Sequence, residues 1–227
     1  MIEVVSFDLD GTLVDTAAEI AEAVNRTLPE FGIAARPLAE IERLIGAGAH
    51  ELMRQLLRAI APSLAPDLPV LLARFDQHYA ETAGTLGQPY PGCLVSLQRL
   101  REDGVRLACV TNKEGRHAHR VLAVTGLADC FEVVIGGDTL PWKKPDARVL
   151  QHLLNDFRCA PGQAAHVGDS STDILAARHA GVADWAVPWG YNAGEPIASA
   201  APSRIFDSLP QIAEHVLALR HAPVALS

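Results

Sequence analysis

Four aspartates in two distant segments of the chain have the residue type and spacing to do chemistry together. Asp8 and Asp10 follow an apolar run near the start of the chain, and Asp169 and Asp173 follow another apolar run far along it. Carboxylates that converge on one pocket repel each other unless cations compensate their charge. Oxygen ligands without nearby cysteine or histidine favour a hard divalent ion such as Mg²⁺. These aspartates therefore predict a magnesium site.

Polar and basic residues follow two further apolar runs and are candidates for binding an anion. Thr111 and Asn112 come directly after one run, and Lys143 and Lys144 lie in the loop after another. A lysine beside the carboxylates would help to hold a phosphate group.

Each of these pieces alone also has a purely structural interpretation. An isolated Asp-x-Asp-Gly is often a turn with side-chain caps. Asp169 to Asp173 could cap a helix, and the two lysines could be a solvated pair. The first segment is not a calcium-binding hand, because Thr12 and Leu13 stand where that loop requires an acidic or amide residue and then a glycine. The joint occurrence of the pieces after successive strands is what favours a site.

The elements that must position these residues are strands of a parallel sheet. Apolar, β-branched runs bounded by turn residues predict buried strands at 4–7, 106–110, 132–135, 164–167 and 184–187. Helical patterns separate most of these runs, which is typical of an α/β fold with helices on both faces of the sheet. In such sheets ligands bind outside the carboxyl ends of the strands. The polar residues follow those ends.

One stretch interrupts the alternation of strands and helices. Between about residue 16 and residue 84 there is no convincing strand, and helical patterns cover 17–31, 38–45, 49–60 and 70–82. We therefore predict an α/β, parallel, Rossmann-like sheet core formed by 1–15 and 88–227. A small all-helical cap, 16–87, is inserted after the first strand.

Composition and charge exclude several classes of protein. The 227 residues include 19 basic and 27 acidic side chains, with a net charge of −8, so there is no basic stripe for a nucleic-acid backbone. The four cysteines lack the paired spacing of a zinc site and are interpreted as reduced packing thiols. With no basic leader and no long apolar run, we expect no membrane contact and a cytoplasmic location. The oligomeric state is left open.

Taken together, the polar segments resemble the signature motifs of the haloacid dehalogenase superfamily of phosphatases. The matching segments are 8–12, 111–112, 144–145 and 168–173. The resemblance spans nearly the whole chain, and that family places a helical cap where the helical insertion lies here. Two narrower segments, 136–141 and 190–197, resemble bacterial phosphoglycolate phosphatases, a branch of the family.

Two departures from the family pattern bear on this assignment. Ala147 stands where the family often repeats a proline, and Ser171 and Thr172 replace a commoner Arg-Asn pair. Neither departure removes a catalytic group, but both weaken the assignment of one substrate.

The resemblance implies a role for each aspartate. Asp8 would attack phosphorus to form an aspartyl-phosphate. Asp10 would protonate the leaving oxygen and later take a proton from water. Mg²⁺ would be held by the Asp8 carboxylate, the Asp10 backbone carbonyl and Asp169. Asp173 would be either a further ligand or an acceptor for bound water.

The resemblance also implies how the phosphate would be held. Thr111, Asn112 and Lys144 would contact its oxygens, and Lys144 would also pair with Asp8 to keep it ionised. We choose Lys144 over Lys143 because Lys144 directly precedes the proline of the motif.

Residues of the cap are expected to select the substrate. The candidates are Arg43, Gly46, Gly48 and His50, with Arg54 as a further one. Gly46 and Gly48 could supply backbone amides to a carboxylate of the substrate. They could equally be a plain break between two helices.

The expected activity is Mg²⁺-dependent hydrolysis of a small-molecule phosphate ester, with 2-phosphoglycolate as the leading substrate. Another sugar or nucleotide phosphate is the nearest alternative. A catalytically silent, phosphate-binding regulatory module is the alternative of a different class. Dehalogenation is disfavoured, because in this superfamily it proceeds without the second aspartate, and Asp10 is present.

Overall fold

The computed structural model describes residues 1–62 and 68–222, and the strands within them form one large and one small sheet. The strands are β1 Val4–Phe7, β2 Val14–Asp15, β3 Gln88–Pro89, β4 Arg106–Val110, β5 Val133–Ile135, β6 Ala164–Gly168, β7 Ala183–Ala186 and β8 Arg204–Ile205. The large sheet is parallel, with the order β5-β4-β1-β6-β7-β8. β1, which precedes the first aspartate motif, therefore lies between β4 and β6.

The predicted α/β fold with a parallel sheet is confirmed. The five predicted strands are five of the six strands of the large sheet, and their ends differ by at most one residue. The sixth, β8, was not predicted. Its two residues, Arg204 and Ile205, are exposed and carry no apolar pattern.

Helices surround the sheet and fill the stretch between β2 and β3. They are α1 Ala17–Thr27, α2 Leu38–Glu42, α3 Ala49–Ile60, α4 Leu68–Thr82, α5 Cys93–Glu102, α6 Gly115–Val124, α7 Arg148–Phe157, α8 Ser171–Ala180 and α9 Leu209–His221. Among these helices, none is both long and apolar enough to cross a lipid bilayer.

Each face of the sheet has its own buried core, because successive side chains of a strand point to opposite faces. Val5 and Phe7 of β1 belong to one buried cluster with Leu97 of α5 and Ile212 of α9. Val4 belongs to a second cluster that includes residues of α7 and α8. The sheet is therefore covered on both sides, which agrees with strands that are apolar along their whole length.

The helices α1 to α4 leave and rejoin the core through the small antiparallel sheet. Val14 and Asp15 of β2 pair with Pro89 and Gln88 of β3. The short strands were not predicted, because two-residue strands leave no periodic pattern. The division of the chain into a core and a cap at 16–87 stays a prediction.

Two of the predicted cap helices are shorter than expected. The helix predicted at 17–31 ends as an α-helix at Thr27 and continues as a 3₁₀ turn, Leu28–Phe31. Pro29 lies in that turn, and proline cannot donate the hydrogen bond that an α-helix would require there. The helix predicted at 38–45 ends at Glu42.

The cysteines are free thiols. Cys93, Cys109 and Cys130 are buried and Cys159 is half-buried, and none forms a disulfide. This agrees with their interpretation as packing residues.

Candidate active site

The carboxyl ends of β1, β4 and β6 bring sequence-distant motifs to one edge of the sheet. Phe7 of β1 lies opposite Cys109 of β4 and Val167 of β6. Asp8 comes next, and its backbone N–H donates to the carbonyl of Val167 at 2.9 Å. The residues that follow these three strands therefore surround the carboxylate of Asp8.

A tight turn after Asp8 brings the first motif against the last. The N–H groups of residues 12–14 donate to the carbonyl of Leu9 at 3.0–3.3 Å. Gly11 has a φ of +79°, and a Cβ at this position would lie 2.4 Å from Oδ2 of Asp169. Glycine is required here both for the left-handed backbone and for the close approach of the aspartate.

Lys144 is the counter-charge of the buried carboxylates. Its Nζ lies 2.9 Å from Oδ1 of Asp8 and 2.6 Å from Oδ1 of Asp173. The Lys144 side chain is only 2% exposed, so solvent does not weaken these ion pairs. Lys143, the alternative lysine, is exposed and points its Nζ at the carbonyl of Ala47 instead.

Asp173 is at once a helix cap and part of the charge cluster. It is the third residue of α8, and its Oδ2 accepts the backbone N–H and the hydroxyl of Ser170 at 3.1 and 2.6 Å. Its Oδ1 faces Lys144 and also lies 3.2 Å from Nε2 of the buried His166. The helix-cap interpretation of this motif therefore fits its geometry, and the same side chain also belongs to the buried charge cluster, while its functional role stays a prediction.

Asp169 completes a set of carboxylates that suits a metal ion. Its Oδ1 accepts the hydroxyl of Thr12 at 2.9 Å and its Oδ2 accepts the N–H of Tyr191 at 2.6 Å. Asp8, Asp169 and Asp173 each offer one oxygen, and these atoms all lie within 4.8 Å of one another. Three buried carboxylates against one lysine leave excess negative charge, and the donors are all oxygen. The set therefore fits a hard divalent cation.

Burial and mutual repulsion separate the proton affinities of these carboxylates. Burial raises the pKa of Asp8 to about 6, although the charge of Lys144 opposes this. Burial and the charges of Asp173 and Asp8 raise the pKa of Asp169 well above its ordinary value. Burial acts on Asp173 in the same direction, but Lys144 and His166 outweigh it and hold its pKa below the ordinary range. Without a cation, Asp173 is the carboxylate that keeps its charge most firmly.

Asp10 is held through one of its two oxygens. Its Oδ1 accepts the hydroxyl of Thr16 at 2.6 Å and the ammonium of Lys113 at 2.7 Å. Within the described part of the chain, both of these hydrogen bonds go to Oδ1 and none is formed to Oδ2. The two donors thus fix the Asp10 carboxyl group through a single oxygen.

Asp8 and Asp10 line a small cavity between the sheet edge and the helical insertion. From the sheet side it is also lined by Thr111, Asn112 and Lys113, and from the helical side by residues that include Ile20, Ile45 and Leu52. The cavity is small, with a volume of about 20 Å³. An organic phosphate is larger, so its binding requires the cavity to widen.

Thr111 and Asn112 both line this cavity, but they differ in whether a hydrogen-bond donor is free. The hydroxyl of Thr111 accepts the N–H of Lys113 at 3.2 Å, which leaves its own proton available for donation. The side-chain amide of Asn112 donates to the carbonyls of Gly46 and Lys144 at 3.0 and 2.9 Å. Both N–H groups of Asn112 are therefore in use in this conformation.

The four candidate cap residues lie in different places. Gly46 and Gly48 line the cavity, whereas Arg43 and His50 are not among its lining residues. Arg43 lies against the loop at Gly194 and lines a separate cavity there. His50 lies 2.7 Å from a carboxylate oxygen of Asp76, on α4. Their role in selecting the substrate stays a prediction.

Gly48 marks a close contact between the helical insertion and the core. Its φ is +93°, and a Cβ there would lie 2.9 Å from the backbone oxygen of Asn112. Gly46 and Gly48 lie between α2 and α3, so they do form a break between two helices. The same segment also forms one wall of the cavity.

The sequence patterns gave no role to several residues that build the site. Lys113 follows Asn112 directly, yet its pairing with Asp10 spans 103 positions of the chain. His166 sits inside an apolar strand, where nothing in the pattern marks a polar contact. Glu19, on α1, is buried and accepts the N–H groups of Gly84 and Gly87 at 2.8 and 3.0 Å. The sequence offered one signal for the burial of Glu19: α1 is amphipathic, and Glu19 lies on the face that carries the buried apolar residues.

Tyr191, within a segment noted in the sequence for its resemblance alone, links the last loop to α1. The N–H groups of Thr16 and Ala17 donate to its hydroxyl at 2.9 and 3.1 Å, and the hydroxyl donates to Asp15. Its own backbone N–H holds Asp169. Tyr191 thus connects Asp169, one of the three clustered carboxylates, with the start of α1.

Comparison with known proteins places this geometry among hydrolases. Residues 5–187 match the family described as haloacid dehalogenase-like hydrolase. A Cupriavidus necator protein named phosphoglycolate phosphatase, plasmid, is 40% identical over 97% of this chain and 96% of its own length. The phosphoglycolate phosphatase of Vibrio cholerae is 39% identical over 95% of this chain and 97% of its own.

A solved structure agrees with the fold. The crystal structure of a predicted phosphoglycolate phosphatase from Haemophilus somnus superposes with a TM-score of 0.91 at 30% identity. The match covers 95% of this chain and 98% of the other.

Proposed function

Because this chain belongs to the haloacid dehalogenase-like hydrolase family, we propose that it hydrolyses 2-phosphoglycolate to glycolate and phosphate. The observation that carries the proposal is the convergence of Asp8, Asp10 and Lys144 at the edge of the sheet, with both carboxylates facing one small cavity. The names of relatives at 36–41% identity support the choice of substrate.

Asp8 is the nucleophile in this proposal. Attack of its carboxylate on phosphorus expels the alkoxide and gives an aspartyl-phosphate, which water then hydrolyses. The proximity of Lys144, at 2.9 Å, favours the ionised form of Asp8, which burial alone disfavours. Asp173 supports the same function indirectly, because it holds Lys144 in place from the other side at 2.6 Å.

Asp10 is the general acid and base. Its Oδ1 is anchored by Thr16 and Lys113, so the carboxyl group cannot rotate freely, and Oδ2 can carry the proton. In the first step that proton goes to the leaving oxygen. In the second step Asp10 takes a proton from the attacking water.

Mg²⁺ is the proposed cation, and Asp8 and Asp169 are its proposed carboxylate ligands together with the backbone carbonyl of Asp10. When bound, the ion would neutralise charge on the phosphate oxygens and on the carboxylates. Asp173 already accepts contacts from Ser170, Lys144 and His166, which supports a role in positioning its neighbours and bound water over direct ligation.

Thr111 and Asn112 are the proposed phosphate contacts beside Lys144. The free hydroxyl proton of Thr111 can donate to a phosphate oxygen without loss of its present contact. Asn112 must first release the carbonyl of Gly46. Phosphate binding and the widening of the cavity are therefore coupled in this proposal.

A panel of phosphate esters tests the proposed function. Purified protein is incubated with 2-phosphoglycolate, a hexose phosphate and a nucleoside monophosphate, each with Mg²⁺ and with a chelator, and phosphate release is measured. We expect Mg²⁺-dependent release and the highest kcat/KM for 2-phosphoglycolate. A clear preference for a sugar or nucleotide phosphate would contradict the proposed substrate but not the phosphatase chemistry.

Asp8→Asn separates an enzyme from a silent phosphate-binding module. The variant keeps the size of the side chain but removes the nucleophile, so we expect phosphate release to fall to background. The matched control is Asp156→Asn, since Asp156 on α7 has a side chain that is 50% exposed and is not among the residues that line the cavity. Equal rates for wild type and Asp8→Asn would support the binding module.

A further inference from the structure

We propose that Lys113 and Tyr79 form a subsite that binds the carboxylate of the substrate and so select 2-phosphoglycolate over phosphate esters without that group. This inference rests on the proposed function. It concerns residues from both sides of the cavity, since Lys113 follows β4 in the core and Tyr79 lies on α4 of the helical insertion.

Charge in the cavity points to Lys113. Among the residues that line the cavity, Asp8 and Asp10 are acidic and Lys113 is the one with a basic side chain. The substrate carries its carboxylate one methylene group from the ester oxygen. With phosphorus at Asp8, that carboxylate must therefore lie within the same small cavity, where two aspartates would repel it unless a cation faces it.

Lys113 is held so that it can accept such a partner. Its side chain is 1% exposed, and its Nζ lies 2.7 Å from Oδ1 of Asp10. An ammonium group has three N–H donors, and Asp10 is the hydrogen-bond acceptor for Nζ within the described residues. Donors thus remain for a second, bidentate partner.

The hydroxyl of Tyr79 is a second observation, independent of the charge of Lys113, that points to a ligand. The residue is 1% exposed and lines the cavity, and its hydroxyl has no hydrogen-bond partner in the described part of the chain. Nζ of Lys113 lies 5.0 Å from the centre of its ring. A buried hydroxyl without a partner is costly, and a carboxylate beside Lys113 could accept its proton.

The apolar wall strengthens this recognition. Ile20 and Leu52 line the helical side of the cavity and are 2% and 1% exposed. With water excluded, an ion pair between Lys113 and a carboxylate is stronger than it would be at the surface. An ester that ends in a methyl group would gain the apolar contact but leave Lys113 and the Tyr79 hydroxyl without the added partner.

The competing interpretation is that Lys113 acts only by positioning Asp10. The two interpretations differ in which substrates lose activity when Lys113 is replaced. Positioning of Asp10 affects every ester equally, whereas carboxylate recognition affects 2-phosphoglycolate far more than ethyl phosphate, in which a methyl group replaces the carboxylate.

The test is kcat/KM for 2-phosphoglycolate divided by kcat/KM for ethyl phosphate, with Mg²⁺, in wild type and in variants. We expect Lys113→Met to lower this ratio by about 10- to 100-fold and Tyr79→Phe by about 3- to 10-fold. Lys143→Met is the matched control, because Lys143 is exposed and outside the cavity lining. It should leave the ratio unchanged.

Two different failures can be told apart. If wild type prefers 2-phosphoglycolate but neither variant changes the ratio, the subsite is wrong and the proposed function stands. If wild type shows no preference for 2-phosphoglycolate, the proposed substrate itself is wrong, and the subsite falls with it. Should Lys113→Met not fold, Tyr79→Phe decides alone, because it removes only an oxygen that has no partner.

Discussion

Nζ of Lys144 lies 2.6 Å from Oδ1 of Asp173, with side-chain exposures of only 2% and 1%. The same nitrogen faces Asp8, so a single buried lysine balances one carboxylate that caps a helix and another at the end of β1. The charge balance of the site is therefore also part of the stability of the core.

Lys144→Met should damage both stability and activity. Removing one partner of a buried ion pair leaves an uncompensated charge and costs about 3–5 kcal/mol. We expect the midpoint of urea denaturation to fall accordingly, and kcat to fall by about 100-fold or more. Lys143→Met, which changes the adjacent but exposed lysine, should shift the free energy of unfolding by about 0.5 kcal/mol at most. Similar losses in both variants would contradict the assigned role of Lys144.

The affinity for Mg²⁺ should rise with pH up to about pH 6. Burial raises the pKa of Asp8 to about 6 and that of Asp169 above its ordinary value, and both must lose their protons to bind a metal ion. Calorimetric titration with Mg²⁺ should therefore show an affinity that falls about tenfold per pH unit below about pH 6 through the proton of Asp8, and protonation of Asp169 adds to this fall. An affinity that does not change between about pH 5 and about pH 7 would rule out this coupling.

In the metal-free protein, the same carboxylates should make the free energy of unfolding depend on pH, each in a direction set by its pKa shift. A raised carboxyl pKa means that the folded state binds the proton more tightly than the unfolded state. Asp8 therefore makes the free energy of unfolding decrease as the pH rises from 3.8 to about 6. Asp173, whose pKa is lowered, contributes stability that is lost as the pH falls below 3.8. Urea denaturation of Asp8→Asn should show a smaller decrease over the first of these pH ranges, because Asp169, whose pKa is also raised, still contributes with the same sign. An unchanged decrease would contradict the shift assigned to Asp8.

Gly11→Ala should be far more harmful than an alanine at another left-handed glycine. A Cβ at Gly11 meets Oδ2 of Asp169 at 2.4 Å, in addition to the strain of a φ of +79°. Gly32 has a similar φ of +72°, but nothing lies within 4 Å of an added Cβ. Gly32→Ala should cost about 1 kcal/mol through backbone strain alone, whereas Gly11→Ala should cost several times that. Equal losses in thermal denaturation would show that contact with Asp169 is unimportant.

Two tyrosine variants that each remove a buried hydroxyl should differ in their effect on stability. Tyr191→Phe removes a buried hydroxyl that accepts the N–H groups of Thr16 and Ala17, and the unpaired groups should cost about 1–3 kcal/mol. Tyr79→Phe removes a buried hydroxyl that has no partner, so the free energy of unfolding should stay equal or increase. Comparison of the two by urea denaturation tests the assignment, and a loss of stability in Tyr79→Phe would contradict it.

Local patterns in the sequence account for most of the architecture. Apolar runs predicted five strands of the large sheet to within one residue, because strands buried on both faces must be apolar throughout. The position of polar residues after those strands predicted where the candidate site lies, because parallel strands end at one edge of a sheet. The boundaries were less accurate where one residue, such as Pro29, altered the hydrogen bonding of a helix end.

The partners of individual side chains were decided only by the tertiary structure. Whether Lys143 or Lys144 faces the carboxylates depends on the path of a loop, and the sequence offered only a resemblance to settle it. The pairing of Lys113 with Asp10 joins residues 103 positions apart. Periodicity reports which face of an element is buried, but not what lies opposite that face. The sequence alone therefore determined the elements and the chemistry available, and the packing of the helical insertion against the sheet decided which groups meet.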